Sequence, residues 1–458
     1  MNPLTALSLT AAHHLQLKAH LLPGDGLEAA AILLCTKVPG PRLRLLVKEW
    51  LPVPHAECSL RTAHSLTWPS SYIEDAIDKA LMENLCLILV HSHPTGYPNF
   101  SEIDDKSDRS IIPSIFEAGG DCHGSAVMMP NGHMISRFYK NDGQVVTCDL
   151  VSVAGEDLHF WWFDDSKRTL DRPLAFTSAM QFELAKMSAC VIGVSGTGSI
   201  VAEQLCRLGF GNVILIDHDH VEDKNLNRIL NTVHADALNA SSKVSVFASR
   251  ANQYRAKDFV TEIHADALSR KAVLAASQAD VIFSCVDTHR ARSIADRIAV
   301  SFLLPLFDVG VAIPTRTITG GRAIDEVTGR IDYIQPGGST LADREVYTPA
   351  SLQAEALAEA APDAHALQVR AGYIDDIPEQ APSVISLNMR AASACVMEFI
   401  ARAFPFRHEP NDSYARTRFL LAECLEEYSA EISFPIKCQP NLARGGAEPL
   451  LGLPILSK

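Results

Sequence analysis

Residues 91–105 read HSHPTGYPNFSEIDD and crowd metal-ligating and proton-transferring side chains into one short stretch. The run before it, LCLILV, is apolar and predicts a buried strand. The run after it opens with serine and acids and then turns apolar at helical spacing, which is how a helix begins. The stretch is therefore a strand end, a loop of Pro, Gly and Asn, and a helix start. Residues two apart on a strand point the same way, so His91 and His93 face one point. Asp104, in the first turn of the helix, supplies a third ligand. Two imidazoles, one carboxylate and an open fourth position suit a catalytic zinc site. A bare His-x-His is more often a loop pair without function. Pro94, Gly96, Ser101 and Asp104 at these spacings tip the balance toward metal.

A second constellation begins at residue 188. SACVIGVSGTGSIVAEQLCRLGFGNVILIDHD predicts a strand, a glycine turn, a helix, a Gly209/Gly211 stop and a second strand ending in acids. A glycine turn at a helix start lets phosphates approach backbone N–H groups. The glycines are Gly193, Gly196 and Gly198. The dinucleotide fingerprint G-x-G-x-x-G needs glycine at 195, where Ser195 stands, and this argues against a dehydrogenase. Downstream come HVEDKNLNRIL, Lys243 in NASSKVSV, and Asp287 in DVIFSCVDTHRARS.

The first pattern resembles the JAMM (MPN/JAB) metalloprotease family over roughly residues 1–145. The resemblance implies that His91, His93 and Asp104 hold Zn2+ and that Ser101 helps stabilise an oxyanion. It also implies a general acid/base glutamate on an earlier strand. Glu28, at the head of EAAAILLC, fits that place better than Glu49 at the end of RLRLLVKEW. The family removes ubiquitin-like proteins or trims their C-termini.

The second pattern resembles the ThiF/MoeB and ubiquitin-activating enzyme superfamily over about residues 168–400. The resemblance implies ATP, Mg2+ and adenylation of a protein C-terminal carboxylate with release of pyrophosphate, chemistry that rests on positioning and charge neutralisation. Backbone at Gly193, Gly196 and Gly198 would face the nucleotide, and Asp217 would accept from the ribose hydroxyls. Asn225, Arg228 and Lys243 would contact the triphosphate, Asp287 would hold magnesium, and Arg292 would be structural. Arg172, in LDRPLAF, resembles the arginine that reaches the nucleotide of a partner subunit, and so implies a homodimer. Two family features are missing. PGGSTLAD, residues 336–343, lacks the cysteines of a structural zinc pair, and no cysteine stands between 286 and 394 to form a thioester. Ala371 is where such a cysteine could stand.

The elements that must position these groups predict an α/β chain. A JAMM-type α/β metalloprotease domain is expected at 1–145, a linker at 146–171, and a Rossmann-like ThiF-type adenylation domain at 172–458. AVMMPNGHMISRFY carries Pro130-Asn131-Gly132 between alternating runs, a hairpin signal. MNPLTALSLTAAHHLQLKAHLL reads as a first amphipathic helix, not a signal peptide. Phe160-Trp161-Trp162-Phe163 reads as a packing plug between domains. A net charge of −14 with no basic stripe argues against a nucleic-acid partner. No run reaches membrane-spanning length. Eleven scattered cysteines, an odd number, suit buried thiols in a reducing, cytoplasmic compartment. The expected partner is a ubiquitin-like or sulfur-carrier β-grasp protein, with a conjugating enzyme as a further partner. The alternative role is activation and processing of a sulfur carrier for cysteine, thiamin or molybdopterin synthesis.

Overall fold

The computed structural model describes residues 5–163, 172–255, 258–319, 321–370 and 384–457. They fall into two compact units. The first takes the described parts of 3–172 with 301–303 and 441–458, and the second takes 173–300 and 304–440.

The first unit contains, in order, β1 (Thr5–Thr10), α1 (Ala11–Leu21), β2 (Ala30–Lys37), β3 (Leu43–Pro52), a short hairpin of β4 (Leu60–Arg61) and β5 (Leu66–Thr67), and α2 (Ser71–Glu83). Then come β6 (Cys86–Ser92), α3 (Glu102–Ala118), β7 (Cys122–Met128), β8 (Met134–Lys140), β9 (Val145–Thr147), β10 (Leu150–Ala154) and β11 (Leu158–Trp162). Nine of these strands form one sheet in the order β11-β10-β1-β3-β2-β6-β7-β8-β9. β2 is buried on both faces because alternate side chains enter two separate cores. Leu33 and Cys35 join one with Leu7, Val47, Ile88 and Phe138. Ile32 and Leu34 join the other with Ile73, Leu89, Ile112 and Ile115.

Three expectations change here. The N-terminal run is not one helix, because Thr5–Thr10 forms β1, fully buried and parallel to both β3 and β10. A strand covered on both faces loses the alternation that would betray it. The stretch read as a linker holds β10 and β11, which pair antiparallel, and Trp161 packs against the core of this unit. The residues of 441–458 also group with this unit, whereas the sequence reading kept them with the second. Thr36 Oγ1 donates to the Ala443 carbonyl at 2.7 Å, Gly446 N–H donates to the Lys37 carbonyl at 2.9 Å, and Leu450, Leu451 and Leu456 are buried.

The second unit begins with α4 (Ser178–Leu184), β12 (Ser188–Ile192), α5 (Gly196–Leu208), β13 (Asn212–Asp217), α6 (His234–Leu238), α7 (Lys243–Ala251), β14 (Val260–His264), α8 (Arg270–Ala276), β15 (Val281–Ser284) and α9 (His289–Phe302). It continues through β16 (Leu306–Ala312), the hairpin β17 (Thr315–Ile318) and β18 (Gly321–Ile324), β19 (Thr328–Ile334), α10 (Pro349–Ala360), α11 (Pro362–Arg370), α12 (Ile385–Ala403), β20 (Arg416–Leu420) and β21 (Leu425–Ser429). The main sheet runs β14-β13-β12-β15-β16-β19-β20-β21. The first five strands are parallel and the last three antiparallel. Chain order reverses between β12 and β15, and a crevice for ligands opens at the carboxyl ends of strands at such a switch point.

Candidate metal centre and nucleotide site

β6 lies between β2, antiparallel with Ala30 opposite His91, and β7, parallel with Val127 opposite His91. Its apolar run is buried, so the sheet fixes where His91 emerges. His93 follows the strand, and its N–H donates to the Met128 carbonyl at 2.9 Å. Its Nδ1 meets the Tyr97 carbonyl at 2.9 Å. A carbonyl only accepts, so Nδ1 carries a proton, and Nε2, turned toward Asp104, is the nitrogen that a metal would take on loss of its own proton. Gly96, at φ 80°, makes the turn that returns the chain to His93.

Ser101 caps α3 reciprocally. Its hydroxyl accepts from Asp104 N–H at 3.2 Å and donates to Asp104 Oδ2 at 2.8 Å, while Ser101 N–H donates to the same oxygen at 2.6 Å. The family resemblance implies an oxyanion role for Ser101; in this structure its hydroxyl is bonded to Asp104. Asp104 Oδ1 stands 3.1 Å from His91 Nε2, and Oδ2 stands 3.4 Å from His93 Nε2. The two Nε2 atoms are 3.1 Å apart. One ligand atom from each of the three residues lies within 4.8 Å of the others. That donor set fits a zinc ion with an open position. Burial would lift the Asp104 carboxyl, but hydrogen bonds from His91 and His93, with the Ser101 amide, hold it well below the usual carboxylate range.

α3 is held in place by Arg137 on β8. Arg137 reaches Asp108 at 2.6 Å and Asp105 at 2.5 Å, and lies 3.9 Å over the ring of Phe100 in the preceding loop. Asp108 is buried and also accepts from Ser125 and Tyr139. Sequence reading missed this anchor, because its partners are far apart in the chain.

Glu28 precedes β2, and continuing the antiparallel register puts it across from His93. It is 6% exposed. Burial raises its carboxyl above the ordinary value, with the charges of His91, His93 and Asp104 close enough to act on it. Glu49 sits on β3 opposite Leu34, farther along the strand, and is ion-paired to Lys79.

In the second unit the glycine turn joins β12 to α5. Gly193 has φ 87°, and a Cβ there would lie 2.9 Å from the Cys285 carbonyl. A Cβ on Gly198 would lie 1.7 Å from the Gly193 carbonyl. One on Gly196 would meet Asn388 at 2.4 Å and Arg228 at 3.0 Å. Ser195 has φ −98°, so it does not use the left-handed region that favours glycine. Its side chain makes no capping bond, which leaves the first-turn amides of α5 suited to an anion.

The polar residues are largely committed to one another. Asp217 accepts from Val194 N–H at 2.7 Å and Asp219 N–H at 2.8 Å, so it ties the turn to the end of β13. Lys243 is buried and pairs with Asp219 at 2.7 Å. Asn225 is buried and accepts from Glu222 N–H at 3.2 Å. Arg228 donates to the Lys224 carbonyl at 2.8 Å. Asp287 is exposed in the loop between β15 and α9, beside the glycine turn's own contact at Cys285. Arg292 pairs with the fully buried Asp308 at 3.5 Å, a structural place. Arg172 is bound within the first unit, to Asp157 at 2.8 Å and the Leu158 carbonyl at 3.3 Å. Asp219 and Asn388 are neighbours that sequence reasoning did not assign; Asn388 comes from α12, too far along the chain to be signalled. Ala371 lies outside the described residues. Cys424 and Cys438 are exposed, and Cys395 is buried.

Comparison with known proteins bears on both units. Residues 10–163 match prokaryotic homologs of the JAB domain, and residues 168–367 match the ThiF family. Ubiquitin-like modifier-activating enzyme 5 of Culex quinquefasciatus is 30% identical over 166 residues, 34% of this chain and 38% of that protein. The Bombyx mori protein of the same name is 29% identical over 168 residues, 34% of this chain and 39% of its own. The chain thus spans less than two fifths of these relatives' length. The E. coli MccB structure with ATP aligns at 17% identity and a TM-score of 0.42, over 58% of this chain and 69% of MccB. Among the described residues no helix is long and apolar enough to cross a membrane. One chain therefore carries a JAB-type domain followed by a ThiF-type, Rossmann-like domain.

Proposed function

We propose that the chain acts twice on one class of partner, a ubiquitin-like β-grasp protein. The first unit cuts the peptide or isopeptide bond after that protein's C-terminus, and the second adenylates the freed carboxylate with ATP and Mg2+. The observation that carries the reading is the convergence of His91 Nε2, His93 Nε2 and the Asp104 carboxylate, with buried Glu28 across from them.

His91, His93 and Asp104 hold zinc. When bound, zinc supplies Lewis acidity, which polarises a carbonyl and acidifies water. Glu28 takes the proton of the attacking water and passes it to the leaving nitrogen. Its raised affinity for a proton, a consequence of burial, suits that double duty. Ser101 holds Asp104 in orientation. In the second unit the first-turn amides of α5 face the phosphates, and Lys243, released from Asp219, turns to the triphosphate. Asp287, exposed at the mouth of the switch point, holds magnesium. The family resemblance also supports a homodimer through the second unit, where exposed Leu174, Phe176 and Phe182 offer apolar surface to cover. Light scattering tests it; a fully active monomer would remove it.

The test of the main reading uses Glu28→Gln. It should keep zinc by elemental analysis and lose turnover by at least about a hundredfold. Pyrophosphate should exchange into ATP only when a β-grasp protein with a free C-terminus is present. Exchange without one, or unchanged turnover in Glu28→Gln, would overturn the respective half. A sulfur-carrier role is the second reading. It is favoured by the absence of any cysteine between 286 and 394, which leaves the adenylate for an external sulfur donor. A thiol-sensitive adduct between this chain and its activated partner would count against it.

A further inference from the structure

The loop that delivers Glu28 is loose by composition. LPGDGLEA runs from the end of α1 to β2. Gly24 and Gly26 sit at φ 92° and 73°, with open space where a Cβ would be. Glu28 also lies outside the β2 ladder, which begins at Ala30. On its other side Ala29 is tied to Ser92, its N–H donating to Ser92 Oγ at 3.0 Å and its carbonyl accepting from Ser92 N–H at 3.0 Å, so what could let Glu28 wander is the glycine loop that leads into it.

The fixing comes from the β4–β5 hairpin. Arg61 Nε donates to the Glu28 carbonyl at 2.9 Å, and the Thr62 carbonyl accepts from Glu28 N–H at 2.8 Å. Both main-chain groups of Glu28 are thus taken by two adjacent hairpin residues. Arg61 Nη2 also lies 3.1 Å from Asp25 Oδ2, while Asp25 Oδ1 accepts from Leu27 N–H at 2.9 Å. The loop is therefore held at Asp25, between its two glycines, and again at Glu28. The hairpin is itself braced, with Thr62 N–H and hydroxyl both donating to the Ser65 carbonyl, at 2.9 and 3.1 Å. Arg61 is only 13% exposed, so its charge lies along this loop instead of in solvent.

We infer that Arg61 is a positioning residue for Glu28, fixing the carboxylate of a loose loop against the metal-ligating side chains. The inference rests on the reading of Glu28 as the proton carrier. Arg61 does not touch the reacting atoms; it acts through the Glu28 backbone. A planar guanidinium spans a carbonyl and a carboxylate at once, which a lysine ammonium does less well.

The test uses the full chain and three variants, Arg61→Ala, Arg61→Lys and Glu28→Gln. The substrate probe is ubiquitin carrying a C-terminal aminomethylcoumarin amide. The readout that needs no substrate is amide hydrogen exchange over residues 27–29. Arg61→Ala should speed exchange there by about tenfold or more and leave zinc content unchanged. Turnover should fall about tenfold or more with KM little altered, because misplacing a reacting group lowers kcat. Arg61→Lys should recover part of both. Unchanged exchange at 27–29 in Arg61→Ala overturns the inference. So does a raised KM at normal kcat, which would make Arg61 a substrate contact. If Glu28→Gln keeps full turnover, the reading beneath it fails and the inference falls with it. If Glu28→Gln is inactive while Arg61→Ala is fully active, the inference alone fails.

Discussion

The two candidate sites are built on opposite plans. In the first unit the chemistry sits in side chains that already face one another: two imidazoles and a carboxylate within 4.8 Å, with a buried glutamate across from them. In the second unit the side chains are spoken for. Asp217 serves the turn, Lys243 serves Asp219, and Asn225 serves a cap. What stands ready there is main chain, the amides at the start of α5 and the close approach that three glycines permit. A site made of side chains is sensitive to losing an atom. A site made of backbone is sensitive to gaining one.

The sharpest break in that contrast is His91→Ala, which should abolish zinc binding and lower peptidase turnover by more than about a hundredfold. Pyrophosphate exchange should be unchanged, and equal zinc in variant and parent would remove the metal centre. The reciprocal change adds one carbon: Gly198→Ala forces a Cβ onto the Gly193 carbonyl, which lies 1.7 Å from its ideal place. It should cost about 1–3 kcal/mol in denaturant unfolding and abolish exchange, with zinc retained. Ser195→Gly should do much less, because the residue already sits at negative φ. About 0.4–1 kcal/mol of stability is expected to be lost through a freer unfolded chain, with exchange near normal. A gain in exchange would mean that glycine is needed at 195 after all.

A further effect concerns pH. Burial pushes the Glu183 carboxyl up to about 7, against an ordinary value of 4.5. The folded state thus holds this proton more tightly than the unfolded state. Its contribution favours folding below about 4.5 and is lost as pH rises through 7. Glu183→Gln should therefore be more stable than the parent at pH 8 and similar at pH 4.5, as thermal melts would show.

The metal ligands were legible because they are local. A strand end, a loop and a helix cap bring His91, His93, Ser101 and Asp104 together within one stretch, and period-two geometry does the rest. Glu28 was legible only through family resemblance, because its partner strand is β6, far along the chain. The anchors around these groups were not legible. Arg61 and Arg137 act on backbone and acids that no short pattern links to them. The glycine turn could be read from residue type, but not the double duty of Asp217, whose partners are main-chain N–H groups with no sequence signature. β1 and β10 escaped for a different reason. Strands in the middle of a covered sheet carry no alternation, and β11 carries aromatics that resemble a plug.

The residues of 441–458 belong to the first unit, hydrogen-bonded to Thr36 and Lys37 at the end of β2. On the ribosome this imposes an order of events. The strands flanking β2 leave the exit tunnel before the ThiF-type unit, yet the segment that closes over Thr36 and Lys37 is made only after that unit has been synthesised. Until then the carbonyl of Lys37 faces water instead of Gly446, and the places of Leu450 and Leu451 stand open. The JAB-type unit is begun before the ThiF-type unit and completed only after it.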